Sequence, residues 1–215
     1  VNAFLHQLDA EKSSRLVSLA TAGRMSLGGK VQGDMQQLLQ IALANEINVS
    51  ELAARWMPTT PDLDAKLAFA RQAGDEAGHF QLVADRLAAL GFDISEFTPP
   101  DDNALFVYLR GLATTVERVA AGLYALESVA YTVNESFIAF CEHRGDTETV
   151  RIYRSFIQPD EQAHHELGKR LVEKYATTAK LQELAKDAVV RVLELAISTR
   201  TKASVKLGSS CFPGC

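Results

Sequence analysis

The chain has 215 residues, 47% of them apolar, which suits one domain with a core that needs no disulfide staples. A net charge of −5 without any basic run argues against a nucleic-acid surface, and three cysteines make no disulfide scaffold. No apolar stretch reaches the roughly 18–20 residues that span a bilayer, and "VNAFLHQLDAEKSSR" carries no signal-peptide pattern, so a cytoplasmic protein with no membrane or nucleic-acid partner is expected.

Abundant Ala and Leu with sparse Gly and Pro favour helix, and no alternating segment carries hairpin turn chemistry. The expected fold class is all-α. Residues 1–25 read as an amphipathic helix with Leu5, Leu8, Leu16 and Leu19 on its apolar face. "SLGGKVQGD" at 26–34 ends it. That stretch is no phosphate loop, because Gly23 and Gly28 are followed by Gly29, Lys30 and Val31. A helix over 33–57 has Met35, Leu38, Leu39, Ala42, Val49 and Ala53 as its stripe, and "MPTTPD" at 57–62 closes it. The next helix, 62–90, has apolar positions Leu67, Ala70, Ala73, Phe80 and Val83, with Gly91 just past its end.

A connector follows at 91–104, then a short helix at 103–110 interrupted by Gly111. A long helix over 112–143 repeats Val116, Val119, Leu123, Leu126, Ala130, Val133 and Phe137 at helical spacing. "HRGDTE" at 143–148 is a turn. The helix over 147–177 contains Pro159, which removes a hydrogen bond and predicts a kink or a break there. A last helix spans 179–203. The expected organisation is one helical domain over 1–203, its core bundle at about 33–177, and a tail at 204–215 whose Cys211 and Cys215 read as loose thiols, with a tail disulfide or a redox contact as the other reading.

Two stretches carry chemistry: "GDEAGHFQ" at 74–81 and "PDEQAHHE" at 159–166. Each writes Asp-Glu-x-x-His. On a helix, Glu and His at i and i+3 share one face, so Glu76 pairs with His79 and Glu161 with His164. His165 is a rival that the repeat disfavours; His6 and His143 read as surface residues. A carboxylate and an imidazole on a core-facing stripe call for a neutralising partner, and a metal ion is one.

Each preceding long helix offers one more carboxylate on its apolar stripe. Glu46 lies four residues from Ala42, and Glu127 four from Leu123. Glu46 to Glu76 is 30 positions and Glu127 to Glu161 is 34, so both intervals allow one climb, a turn and a return to the same height. Glu51 falls off its stripe, and Glu135 breaks the matched interval. The chain thus reads as two copies of a Glu helix followed by a Glu-x-x-His helix. Four carboxylates and two imidazoles without a thiolate suit two divalent ions, iron or manganese ahead of zinc.

This ligand pattern resembles that of the ferritin-like di-iron carboxylate superfamily, over about 33–177. The resemblance implies a four-helix bundle with a crossover between its second and third helices, flanked by N- and C-terminal helices. That crossover must span about 40 Å, which is why 103–110 is expected as a separate piece rather than the start of the long helix. The implied cofactor is two Fe ions on Glu46, Glu76, His79, Glu127, Glu161 and His164, with Mn or a mixed Mn/Fe pair also suited. The superfamily's bacterial multicomponent monooxygenases also write Asp-Glu-x-x-His, so Asp75 and Asp160 are expected to support ligand histidines. Tyr124 and Tyr131 flank Glu127 and are near-site residues, with plain core packing as the other reading. Small residues on the stripes (Ala42, Ala73, Ala120, Ala130) leave room for an apolar substrate or simply let helices pack closely.

In general style the chain looks like the smaller oxygenases of the phenylacetyl-CoA epoxidase and tRNA hydroxylase types, though it lacks a basic patch for tRNA. The implied function is an oxygenase that uses O2 to hydroxylate or epoxidise a small organic or acyl substrate. Its electrons would come from a separate reductase, because the chain carries no flavin or iron–sulfur module. The alternative is a ferritin-like ferroxidase, iron-handling or peroxidase protein. A monomer or homodimer fits the first reading and a many-subunit shell fits storage.

Overall fold

In a computed structural model that describes residues 3–27, 34–100 and 103–214, all regular structure is helical, with no strand among the described residues. Helix α1 is Ala3–Leu27, α2 is Met35–Thr59, α3 is Leu63–Ala89 and the short α4 is Ala104–Arg110. Thr115–Arg118, Val119–Leu126 and Glu127–Arg144 follow one another unbroken as α5. Thr147–Ile152, Tyr153–Ile157 and Gln158–Tyr175 likewise form α6, and Ala179–Leu207 is α7. The middle segments of α5 and α6 are wound as π-helix, each ending directly before a glutamate-bearing segment.

The ends are fixed by local chemistry. Asp34, Asn103, Asp146 and Thr178 accept hydrogen bonds from the first free N–H groups of α2, α4, α6 and α7. Thr114 and Glu117 close a capping box at the start of α5. Gly145 takes φ 72° between α5 and α6, a left-handed conformation that glycine adopts without penalty. The RGD sequence is therefore a helix end followed by a cap.

Hydrogen bonds between helices give their directions. Ser50 donates to the Ala73 carbonyl and Gln36 to the Leu90 carbonyl, so α2 and α3 are antiparallel. Thr115, at the start of α5, donates to Asp62, at the start of α3, and further along both helices Gln72 donates to Glu127. Helices α3 and α5 therefore run in the same direction, and the chain between them must travel back. It does so through a 3₁₀ turn at Ile94–Glu96 and α4, so the short helix expected at 103–110 is present and separate. Arg86, late in α3, pairs with Asp146 ahead of α6, and Asp64, early in α3, pairs with Lys174 late in α6. Helices α3 and α6 are thus antiparallel.

Helix α5 is the central element. Val119–Leu126 is buried on every side, beneath α1, α6 and α7. A Cβ on Gly122 would meet the Trp56 ring of α2 at 2.6 Å, and one on Gly168 of α6 would meet the backbone of Leu123 and Tyr124 at 2.6 Å. Backbone and side chain approach α5 too closely there for anything but glycine.

The core falls into two apolar layers. One contains Val49, Trp56, Phe69, Leu123 and Leu171; the other contains Leu39, Leu43, Val83, Phe137 and Ile157. On α2, α3 and α6 the boundary between the layers falls where Glu46, Glu76 with His79, and Glu161 with His164 occur. The motif residues form a polar slice between two hydrophobic ones.

Several sequence expectations are corrected. Leu67 is 59% exposed, not part of the apolar stripe. The buried face of α3 runs through Ala65, Phe69, Gln72, Glu76, His79 and Val83. Apolar residues alone mislead about its phase because polar ones occupy its middle. Helix α2 continues through Pro58 to Thr59; at Pro159 the helix runs on but changes winding, the π segment ending at Ile157 and Gln158–Tyr175 starting with Pro159 in its first turn. The wider π turns before Pro159 accommodate a residue without an N–H.

Helix α7 reaches Leu207, four residues beyond the expected end, and the tail after it is packed rather than loose. Arg200 donates to the carbonyls of Phe212 at 2.6 Å and Pro213 at 3.3 Å, and the Gly214 N–H donates to Asn134 at 3.1 Å. Cys211 is a buried free thiol; Cys215 lies outside the described residues, as does most of the break expected at 26–34. Among the described residues, no helix is long and apolar enough to cross a membrane.

Candidate metal centre

The six residues singled out by the repeat meet in the polar slice. Glu46, Glu76, His79, Glu127, Glu161 and His164 are each at most 2% exposed. They fall into two groups that can hold a cation, each with its ligand atoms within 4.8 Å of one another: Glu46, Glu76, His79 and Glu161, and Glu76, Glu127, Glu161 and His164. Glu76 and Glu161 belong to both. Each group therefore has one carboxylate and one imidazole of its own and shares two carboxylates with the other.

The histidines are oriented from the far side. His79 Nε2 lies 3.1 Å from Asp160 Oδ2, and His164 Nε2 lies 2.9 Å from Asp75 Oδ2. The antiparallel crossing of α3 and α6 makes the contacts reciprocal: each aspartate serves the histidine of the other motif. Donating Nε2–H to a carboxylate leaves Nδ1 as the ligating nitrogen. His79 Nδ1 faces Glu76 at 3.3 Å and Glu46 at 3.5 Å; His164 Nδ1 faces Glu76 at 3.4 Å and Glu127 at 3.5 Å. Asp75 and Asp160 keep side-chain exposures of 33% and 46%, so they join the buried centre to solvent.

Four carboxylates in a dry layer cannot all be charged without cations. Burial is the main push on Glu46 and lifts its pKa to about 8. Burial, and then the charges of Glu127 and Glu76, raise Glu161 well above the carboxylate range. Glu76 goes the other way: burial opposes its charge, but hydrogen bonds from His164 and His79 hold it below the usual range. Burial also disfavours charge on the imidazoles, yet Glu46 and Glu76 lift His79 to about 12, and Glu127 and Glu76 lift His164 to about 11. In the metal-free protein, protons stand where cations would.

The donor set fits two divalent ions. Buried Glu127 Oε2 makes no hydrogen bond, as suits an atom facing a cation. Glu76 and Glu161, which belong to both groups, are the carboxylates that would lie within reach of both ions.

Other sequence candidates are placed elsewhere. The Tyr124 hydroxyl points to α1, donating to Asp9 at 2.5 Å, with Lys12 over its ring at 3.9 Å. Tyr131 is 38% exposed, and its carbonyl accepts from Gln158. His165 turns to Ser128 and Lys12 instead of the centre. Glu51 is exposed, and Glu135 pairs with Arg154. Gln72 was missed: one turn before Glu76, it is buried and donates to Glu127 Oε1. Its position on the same stripe as Glu76 and His79 was the available signal.

No protein-family model matches the chain, and no curated protein matches it.

Proposed function

We propose that the chain is a ferritin-like di-iron carboxylate protein and acts as an O2-dependent oxygenase on a small organic substrate. The observation that carries this reading is the sharing of Glu76 and Glu161 between two otherwise complete ligand groups. The parallel α3 and α5, joined by a returning connector, agree with the crossover of that bundle type. Bound iron would supply O2 activation and the redox equivalents. The chain's own residues hold the ions, fix the imidazoles through Asp75 and Asp160, and exclude water. Manganese or a mixed pair suits the same ligands, and a separate reductase would deliver electrons.

Iron handling is the competing use of such ligands. A centre whose six ligands are almost fully enclosed favours a resident cofactor over cargo that must enter and leave. The test is anaerobic Fe(II) loading followed by desalting, with about two irons retained per chain expected. The loaded protein should then consume O2 in step with an added reductant and an organic substrate. Little retained iron would end the di-iron reading. Continued oxidation of Fe(II) beyond the retained pair would replace oxygenase with ferroxidase.

A further inference from the structure

A cavity of about 360 Å³ lies between α2, α4, α5 and α7, with Phe97, Thr98 and Pro100 of the connector beside it. It is at the small end of ligand pockets, which run ~300–1,000 Å³. Its depth is apolar: Ala44, Leu105, Phe106, Val129, Ala196 and Phe212 line it and are at most 6% exposed. Exposed Gln37 and Pro100 mark its solvent side. No residue of the metal centre lines it, although Asn45 and Val129 are one and two residues from Glu46 and Glu127.

Among the described residues, one charged side chain lines this cavity, Arg200. Its guanidinium lies over the Phe212 ring at 3.9 Å and donates to two main-chain carbonyls. Those acceptors are neutral and use two of its five N–H donors. No carboxylate of the described residues pairs with it. Burial pulls its pKa down to about 9, and the Cys211 thiol opposes that pull only in part. A half-buried cation whose observed acceptors are neutral is a poor arrangement by itself and a good one for a bound anion.

We propose that this cavity binds a small amphipathic carboxylate, with its apolar body against Leu105, Phe106, Val129 and Ala196 and its carboxylate on Arg200. A guanidinium fork matches a carboxylate, and the adjoining amides of Gln40 and Asn45 add donors. Binding here needs no metal, since none of the six centre residues takes part.

The test is calorimetric titration of the full chain with octanoate and with octanol, in the metal-free and the Mn(II)-loaded forms. Octanoate binds saturably in both forms, at least about tenfold tighter than octanol. Arg200→Gln reduces octanoate affinity to the level of octanol and leaves octanol unchanged. Ala196→Phe fills the cavity and abolishes both. Equal affinities for the two probes, unchanged octanoate binding in Arg200→Gln, or no saturable octanoate binding would each overturn the proposal. So would octanoate binding confined to the Mn(II)-loaded form, which would put the carboxylate on the metal. The comparison of octanoate with octanol uses the unmodified chain, so it stands even if a variant fails to fold.

Discussion

Asp75 on α3 accepts from His164 on α6 at 2.9 Å, although in sequence it belongs to the motif of His79. The reciprocal contact joins Asp160 to His79. Asp75→Ala should therefore weaken metal at the His164 side while sparing the His79 side. Loss of such a supporting carboxylate lowers metal affinity by about 10–100-fold. Competition titration against a chelator reads this directly, and one weakened ion beside one of normal affinity is expected. Equal affinity to the unmodified chain would show that the contact does not orient the ligand.

Sharing of Glu76 and Glu161 predicts unequal effects of ligand removal. Glu46→Ala leaves Glu76, Glu127, Glu161 and His164 together, so about one ion per chain should remain. Glu161→Ala damages both groups and should retain less than one. Metal analysis after desalting separates these outcomes. Two ions retained by Glu161→Ala would remove that glutamate from the centre.

The metal-free protein should lose stability as pH rises. The surrounding carboxylates push folded His79 up to about 12 from its ordinary 6.5, and burial pushes Glu46 up to about 8 from 4.5. Both values are raised, so each contributes stability that is complete below its unfolded pKa and is lost as pH rises through the folded one. Glu76 is depressed, and its contribution disappears only in acid. From about pH 6 to about pH 9 the melting temperature of the metal-free protein should fall, while that of the loaded protein stays nearly level. Loading at neutral pH should release about four protons per chain, from Glu46, Glu161 and the two imidazolium groups. Scanning calorimetry and weakly buffered titration measure the two effects; a melting temperature that rises over this window contradicts the assignment.

Gly168→Ala should destabilise the fold by about 1–3 kcal/mol, the usual range for overpacking a tight contact. The added methyl meets the α5 backbone at Leu123 and Tyr124, which cannot rotate away. Urea denaturation of the metal-free protein is the measurement. An unchanged midpoint would mean that α6 can move off α5 freely.

The centre was legible because its chemistry is repeated. Two Asp-Glu-x-x-His stretches and two matched intervals singled out the six buried residues. What the sequence hid depends on neighbours from other helices. The crosswise contacts of Asp75 and Asp160 need the antiparallel crossing of α3 and α6. Gln72 reads as an ordinary polar residue until Glu127 is placed beside it. The π segment "VAAGLYAL" has a composition that an α-helix would accept equally well; its winding accompanies enclosure on all sides. Leu67 misleads for the opposite reason: it is an exposed apolar residue on a helix whose buried face has a polar centre.

The sharing of Glu76 and Glu161 also has a mechanical side. Each ligand group takes three residues from one half of the chain and borrows a single carboxylate from the other. A pair of ions would thus clasp α2 and α3 to α5 and α6, as a cross-link does, across a connector more than twenty residues long. Severing that connector in the loaded protein should leave the two fragments associated, and a chelator should then let them part.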